Sequence, residues 1–156
     1  GGMSSGRVFR FGPTAERRPN HLFVFLHGCG ATAQSMIPIA FKFQARFPSA
    51  ALVVPSGFDP DARGGAAQDW YPTLGLNWDN HRARVAAVLP DVEDLVRREQ
   101  THFGVAASRT VLIGFSQGGT VALEAVKAPG IAGAVVAFSS RYAKTPVRNS
   151  PIAMRR

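Results

Sequence analysis

The 156 residues amount to one domain, long enough to bury about 68–70% of the surface its unfolded form exposes without extra staples. Hydrophobic residues make up 46% and charged residues 18%, a globular composition rather than a disordered or fibrous one. The single cysteine, Cys29, excludes an intrachain disulfide and a multi-cysteine zinc site, and no apolar run approaches the ~20 residues of a membrane-spanning helix.

The net charge of +8 hints at an anionic partner until its distribution is followed. Arg7, Arg10, Arg17 and Arg18 stand against Glu16 in the first twenty residues. Arg141, Lys144, Arg148, Arg155 and Arg156 stand alone in the last sixteen, and residues 21–140 are neutral. A nucleic-acid footprint puts its basic stripe on a structured face. Charge confined to two ends reads as solvated termini, so no nucleic acid is expected as partner.

Taken in chain order, Gly1-Gly2-Met3 reads as a leader before a native start, with residues 1–6 expected to be a disordered tag or leader. Residues 7–11 alternate polar and apolar, as a half-buried edge strand does. Leu22–Leu26 is apolar on both faces, the mark of a central parallel strand, and ends in His27-Gly28-Cys29-Gly30. Thr32 opens a helical stretch to about Phe47, which Pro38 kinks or delays. Ala50–Val54 reads as a second buried strand. The loop 55–78 is long enough to be functional. Asp79 or Asn80 then caps a long helix to about Gln100, with Val85, Val88, Leu89, Val92, Leu95 and Val96 spaced at three and four, Pro90 inside it and Gly104 just beyond. Thr110–Phe115 is a third buried strand, followed by a helix from about Gly118 to Lys127. Ile131–Phe138 is a fourth. Strands alternating with helices predict an α/β fold with a mostly parallel sheet. Residues 7–140 are expected to form the domain and 141–156 a basic tail.

Gly114-Phe115-Ser116-Gln117-Gly118 matches G-x-S-x-G between a buried strand and a helix, the setting that motif requires. A serine on a strained strand-to-helix turn is lifted above the sheet, and the helix N-terminus beneath it favours a developing oxyanion. The glycines of His27-Gly28-Cys29-Gly30 let that backbone bend so that an amide faces the site. The expected donors are the main-chain N–H groups of Cys29 and Gln117, with His27 a hydrogen-bonded loop residue. The same stretch, Gly28-Cys29-Gly30-Ala31-Thr32-Ala33, also fits the G-x-G-x-x-A dinucleotide fingerprint, but the next strand ends Val53-Val54-Pro55-Ser56 with no ribose-binding acid.

Leu26-His27-Gly28-Cys29-Gly30, the pair Trp70-Tyr71 and Gly114-Phe115-Ser116-Gln117-Gly118-Gly119, in this order, resemble the phospholipase/carboxylesterase family, the α/β-hydrolases related to acyl-protein thioesterases. The likeness covers roughly residues 20–140. It implies an α/β-hydrolase sheet with helices on both faces and cofactor-free hydrolysis of carboxylic esters or thioesters in the cytoplasm. Ser116 would be the nucleophile, Cys29 and Gln117 the oxyanion hole, and Trp70 and Tyr71 the lining of the substrate pocket, with core packing the equal alternative for this aromatic pair.

That fold orders its triad Ser, then Asp or Glu, then His. After Ser116 the only acid is Glu124, and His21, His27, His81 and His102 all precede the serine. The C-terminal strands that carry the acid and histidine in the family are therefore expected to be missing, with Ser150–Met154 leading into a further strand. Without them Ser116 is expected to be a poor nucleophile and this chain to have little activity, since a hydroxyl must lose its proton to attack. His81 or His102 on the long helix is the remaining source of a base. The alternatives are an inactive remnant serving as a binding or assembly module, self-associating through an uncovered sheet edge at 131–138, and a dinucleotide-binding domain.

Overall fold

The computed structural model describes residues 7–15, 17–58, 69–140 and 150–155. The expected leader 1–6 and most of the expected tail, 141–149 and 156, lie outside the described residues. Six strands form one sheet: β1 (Val8–Phe11), β2 (His21–Leu26), β3 (Ala50–Pro55), β4 (Thr110–Phe115), β5 (Ala134–Ser140) and β6 (Ser150–Arg155). Their spatial order is β1-β3-β2-β4-β5-β6. The four inner strands run parallel and the two outer ones antiparallel to their neighbours.

β2 lies at the centre because both of its faces are apolar. Leu22, Val24 and Leu26 enter a core that also holds Val85, Val92, Leu95 and Val121 of two helices, α2 (Trp78–Phe103) and α3 (Gln117–Ala125). Phe23 and Phe25 enter a second core on the other face, against Met36 and Ala40 at the helix α1 (Ile37–Arg46). Helices thus cover both faces, as the continuous apolar strands require. The helix after Thr32 does start late. Ala33–Met36 is a 3-10 turn, and Pro38 sits in the first turn of α1, where its missing N–H costs nothing.

The cap of α2 is Asn77 rather than Asp79 or Asn80. Asn77 Oδ1 accepts from Asn80 N (3.0 Å), and Asn80 Oδ1 accepts from Asn77 N (2.9 Å), a reciprocal capping box. The helix runs through Pro90 and ends at Gly104, which takes a left-handed φ of 67°. The edge expected along 131–138 is not open. Residues 150–155 pair with it antiparallel, Phe138 opposite Ile152 and Val136 opposite Met154. An alternating Ser-Pro-Ile-Ala-Met-Arg segment can supply a short edge strand, so part of the expected basic tail belongs to the sheet.

One long-range ion pair fastens β1. Arg10 Nε and Nη2 donate to Glu99 Oε1 and Oε2, each at 2.7 Å. The carboxylate is buried on α2 and the guanidinium half-exposed, and the bidentate geometry favours this pair over a looser one. It also holds the Arg10 pKa above its usual value, through the hydrogen bond to Glu99 first and its charge second, against partial burial. Arg10→Ala strands the carboxylate in the core. Denaturant titration should show a loss of about 3 kcal/mol, the low end for a broken buried pair because Arg10 is partly solvated, and replacing both partners by apolar residues should recover most of it.

Candidate active site

The connections from β2 and β4 leave the sheet in opposite directions, β2 leading to β3 and β4 to β5. A crevice therefore opens at the carboxyl ends of these two neighbours, where α/β sheets bind ligands. Leu26 of β2 pairs with Gly114 of β4, so the loops 27–31 and 115–117 emerge side by side.

Ser116 sits at the tip of the second loop with φ 54° and ψ −118°, a conformation an L-residue adopts only under constraint. The constraint comes from its neighbours. Its N–H donates to Phe138 O (2.9 Å), continuing the β4–β5 ladder, while its carbonyl accepts the Thr120 N–H (3.0 Å) and opens α3. A methyl on Gly114 would collide with the Gly118 carbonyl, and one on Gly118 with the Leu26 and His27 carbonyls. Gly28 packs on the elbow so closely that a Cβ there would stand 3.3 Å from the Ser116 Cβ. The small residues of the motif are therefore a packing requirement of the turn.

A cavity of about 530 Å³ opens over the elbow, lined by Ser116, Gln117, Cys29, Tyr71, His81 and Trp78 among others. It brings together four of the five site residues expected from the sequence. The fifth, Trp70, is a correction: it is fully buried and does not line the cavity. Its indole Nε1 donates to His27 O (2.9 Å) and its ring meets Phe58 edge-on at 5.3 Å. A large aromatic whose one polar atom has a buried carbonyl partner is more stable in the core than at a wet wall.

The Gln117 side chain clasps the segment beside it. Oε1 accepts from Trp70 N (2.6 Å) and Nε2 donates to Tyr71 O (2.9 Å). Asp69, which the sequence analysis did not single out, is buried and holds the other loop. Its Oδ1 accepts from Gly30 N (2.8 Å) and its Oδ2 from the Cys29 thiol (3.3 Å). The one signal available was an acid directly before an aromatic pair; its partners stand about forty residues away.

The histidines separate cleanly. His21 starts β2, at the far end of the sheet from the elbow. His102 lies in the last turn of α2 against Phe103. His27 is fully buried, with Nδ1 2.8 Å from Gly28 O and Nε2 3.2 Å from Gly57 N. A carbonyl on one side and an N–H on the other fix the neutral Nδ1–H tautomer, so both nitrogens are engaged. His81 does line the cavity, its Nε2 2.8 Å from Tyr71 Oη. Burial raises the pKa of that phenol, with a hydrogen bond from Thr120 pulling the other way. Glu124, half-buried on α3, is paired with Lys127 at 3.1 Å. The dinucleotide reading loses its physical basis, since Gly28–Ala33 leads into a 3-10 turn and not the helix N-terminus a pyrophosphate needs.

Residues 13–155 match the phospholipase/carboxylesterase family. Esterase YpfH of Escherichia coli (strain K12) is 39% identical over 132 residues, which cover 84% of this chain and 56% of that protein. The chain thus spans little more than half the length of this relative. Among solved structures, esterase PE8 superimposes with a TM-score of 0.77 at 23% identity, over 90% of this chain and 65% of that one. The Bacillus cereus carboxylesterase gives 0.69 at 12%, over 96% and 65%. These two show a shared fold. No helix among the described residues is long and apolar enough to cross a membrane.

Burial holds the His27 pKa below its ordinary 6.5, the Gly28 bond and Asp69 opposing it less strongly. The stability this histidine contributes is complete above the unfolded value and is lost as the pH falls toward the lowered folded one. Denaturation midpoints taken from about pH 8 down to about pH 5 should therefore fall below about pH 6.5. The His27→Gln chain, weaker throughout, should lose less over that window.

Proposed function

The chain belongs to the phospholipase/carboxylesterase family, and from that premise we propose that it hydrolyses carboxylic esters or thioesters through Ser116. The observation that carries this reading is the cavity that gathers a strained elbow serine, Cys29 and Gln117 at one crevice. In the proposed reaction Ser116 Oγ attacks the acyl carbon as a base takes its proton. The carbonyl oxygen becomes an oxyanion that accepts from the main-chain N–H groups of Cys29 and Gln117, the second at the positive end of α3. Collapse expels the alcohol or thiol, which receives the proton, and water then frees the acyl group by the same steps in reverse order.

Tyr71, Leu76 and Trp78 line the cavity on the α2 side, where the acyl or leaving group would rest. Thr73, Asn77, Thr120 and Ser139 add polar groups to the same wall, and an apolar patch beside convergent polar groups suits a small ester. The proposal includes small-molecule substrates and a cytoplasmic setting. As to the base, His81 is the one histidine on the cavity wall, and its Nε2 already meets Tyr71 Oη. Glu124 is committed to Lys127 and stands on the helix behind the serine.

Labelling with a fluorophosphonate and hydrolysis of p-nitrophenyl acetate test the reading. Ser116→Ala should label not at all and should lose whatever hydrolysis the wild type shows above background. Equal labelling of the two chains would overturn it.

A further inference from the structure

We infer that Asp69 is a positioning residue for the oxyanion loop, a role that rests on the esterase reading above. The loop 28–31 is a turn closed by Ala31 N donating to Gly28 O at 3.2 Å. Gly30 has φ +76°, and Cys29 is not among the residues with positive φ. A turn whose third residue alone has positive φ is of type II, and it differs from type I mainly by a flip of its central peptide, here Cys29–Gly30. The flip reverses the direction of the Gly30 N–H.

The Asp69 carboxylate holds that N–H at 2.8 Å, and so selects one state of the flip. Its second oxygen takes the thiol of Cys29, the central residue of the same turn. Asp69 itself is buried and does not line the cavity, so it acts through the loop rather than on substrate. A carboxylate is suited to this task because its two oxygens accept from two donors at once, and a charge-assisted acceptor holds an amide about twice as strongly as a neutral one.

The clasp is continuous with the elbow. Trp70, the next residue, donates its N–H to Gln117 Oε1 and its indole N–H to His27 O. Tyr71 accepts from Gln117 Nε2 through its carbonyl. Three consecutive residues thus tie the loop after β2 to the turn after β4. The flip leaves the Gly28–Cys29 peptide in place, so Asp69 acts on the Cys29 amide through its hold on Cys29 itself, by the thiol and the next N–H. An oxyanion hole works only when both donors meet one oxygen.

The test compares wild type, Asp69→Asn, Asp69→Ala and Ser116→Ala as full chains. It reads kcat and KM for p-nitrophenyl acetate, the thermal midpoint, and the rate at which iodoacetamide alkylates Cys29, the only cysteine. Asparagine keeps an acceptor for Gly30 N–H, so Asp69→Asn should stay within about threefold of wild-type kcat. Asp69→Ala should lose about ten- to a hundredfold in kcat with KM within about twofold, since a misplaced donor costs part of the ~10²–10³ that a deleted one does. Both changes remove the negative charge beside an exposed thiol, so both should speed alkylation severalfold.

An Asp69→Ala chain with wild-type kcat overturns the positioning role, as does a loss confined to KM or to thermal stability. If Asp69→Ala does not fold, Asp69→Asn decides through alkylation, and a rate equal to wild type overturns the contact. A wild type without hydrolysis, or an active Ser116→Ala, overturns the esterase reading instead. The alkylation rates then still report whether Asp69 holds the loop.

Discussion

The carbonyl groups that end β2 lie where a side chain on Gly118 would stand. Everything at the crevice depends on that approach. Because residue 118 lacks a Cβ, α3 can start directly over the end of β2, and because residue 114 lacks one, the backbone can turn back over β4. The serine between them is left with a left-handed φ that the ladder bond to Phe138 and the first turn of α3 hold in place. Any larger residue at either glycine would push α3 away from β2 and separate the two loops that flank the cavity. Overpacking at such a contact typically costs 1–3 kcal/mol, and here it would also displace the elbow.

Around this contact a second set of polar bonds adjusts the loops. Asp69, Trp70 and Tyr71 contribute two, two and one main-chain or side-chain links to groups in the 27–30 and 117 regions. Each link satisfies a polar atom that burial would otherwise penalise, which is why a segment with no regular structure can lie against the core. The cavity wall is therefore rigid on the sheet side. On the other side it is formed by Leu76 and Trp78, which remain partly exposed at the start of α2.

Much of this was legible in the sequence because it rests on local patterns. Leu22–Leu26 and Thr110–Phe115 are apolar on both faces, so they could only be inner strands, and the elbow motif followed the second of them. Cys29, Ser116, Gln117 and Tyr71 were placed on one cavity by that reading. What escaped it was decided across long separations. Trp70 went to the core because His27 O offered its indole a partner 43 residues away, and Asp69 became a loop anchor through bonds spanning 39 and 40 residues. Ser150–Met154 was legible as the approach to a further strand, but its antiparallel return onto β5 was not, and Asn77 was hidden by the capping residues just after it.

The Arg10–Glu99 pair has a consequence for the order of assembly. Its partners are 89 residues apart, and the ladder of β1 with β3 also joins the start of the chain to residues made much later. At ~5–20 residues per second on a ribosome, β1 waits on the order of ten seconds before the carboxylate that holds it exists. β1 can meet β3 early, but its side-chain anchor arrives only with the end of α2. Until then the β1–β3 ladder alone holds this edge, and a weakly held edge is where a nascent chain is most open to pairing with a neighbour.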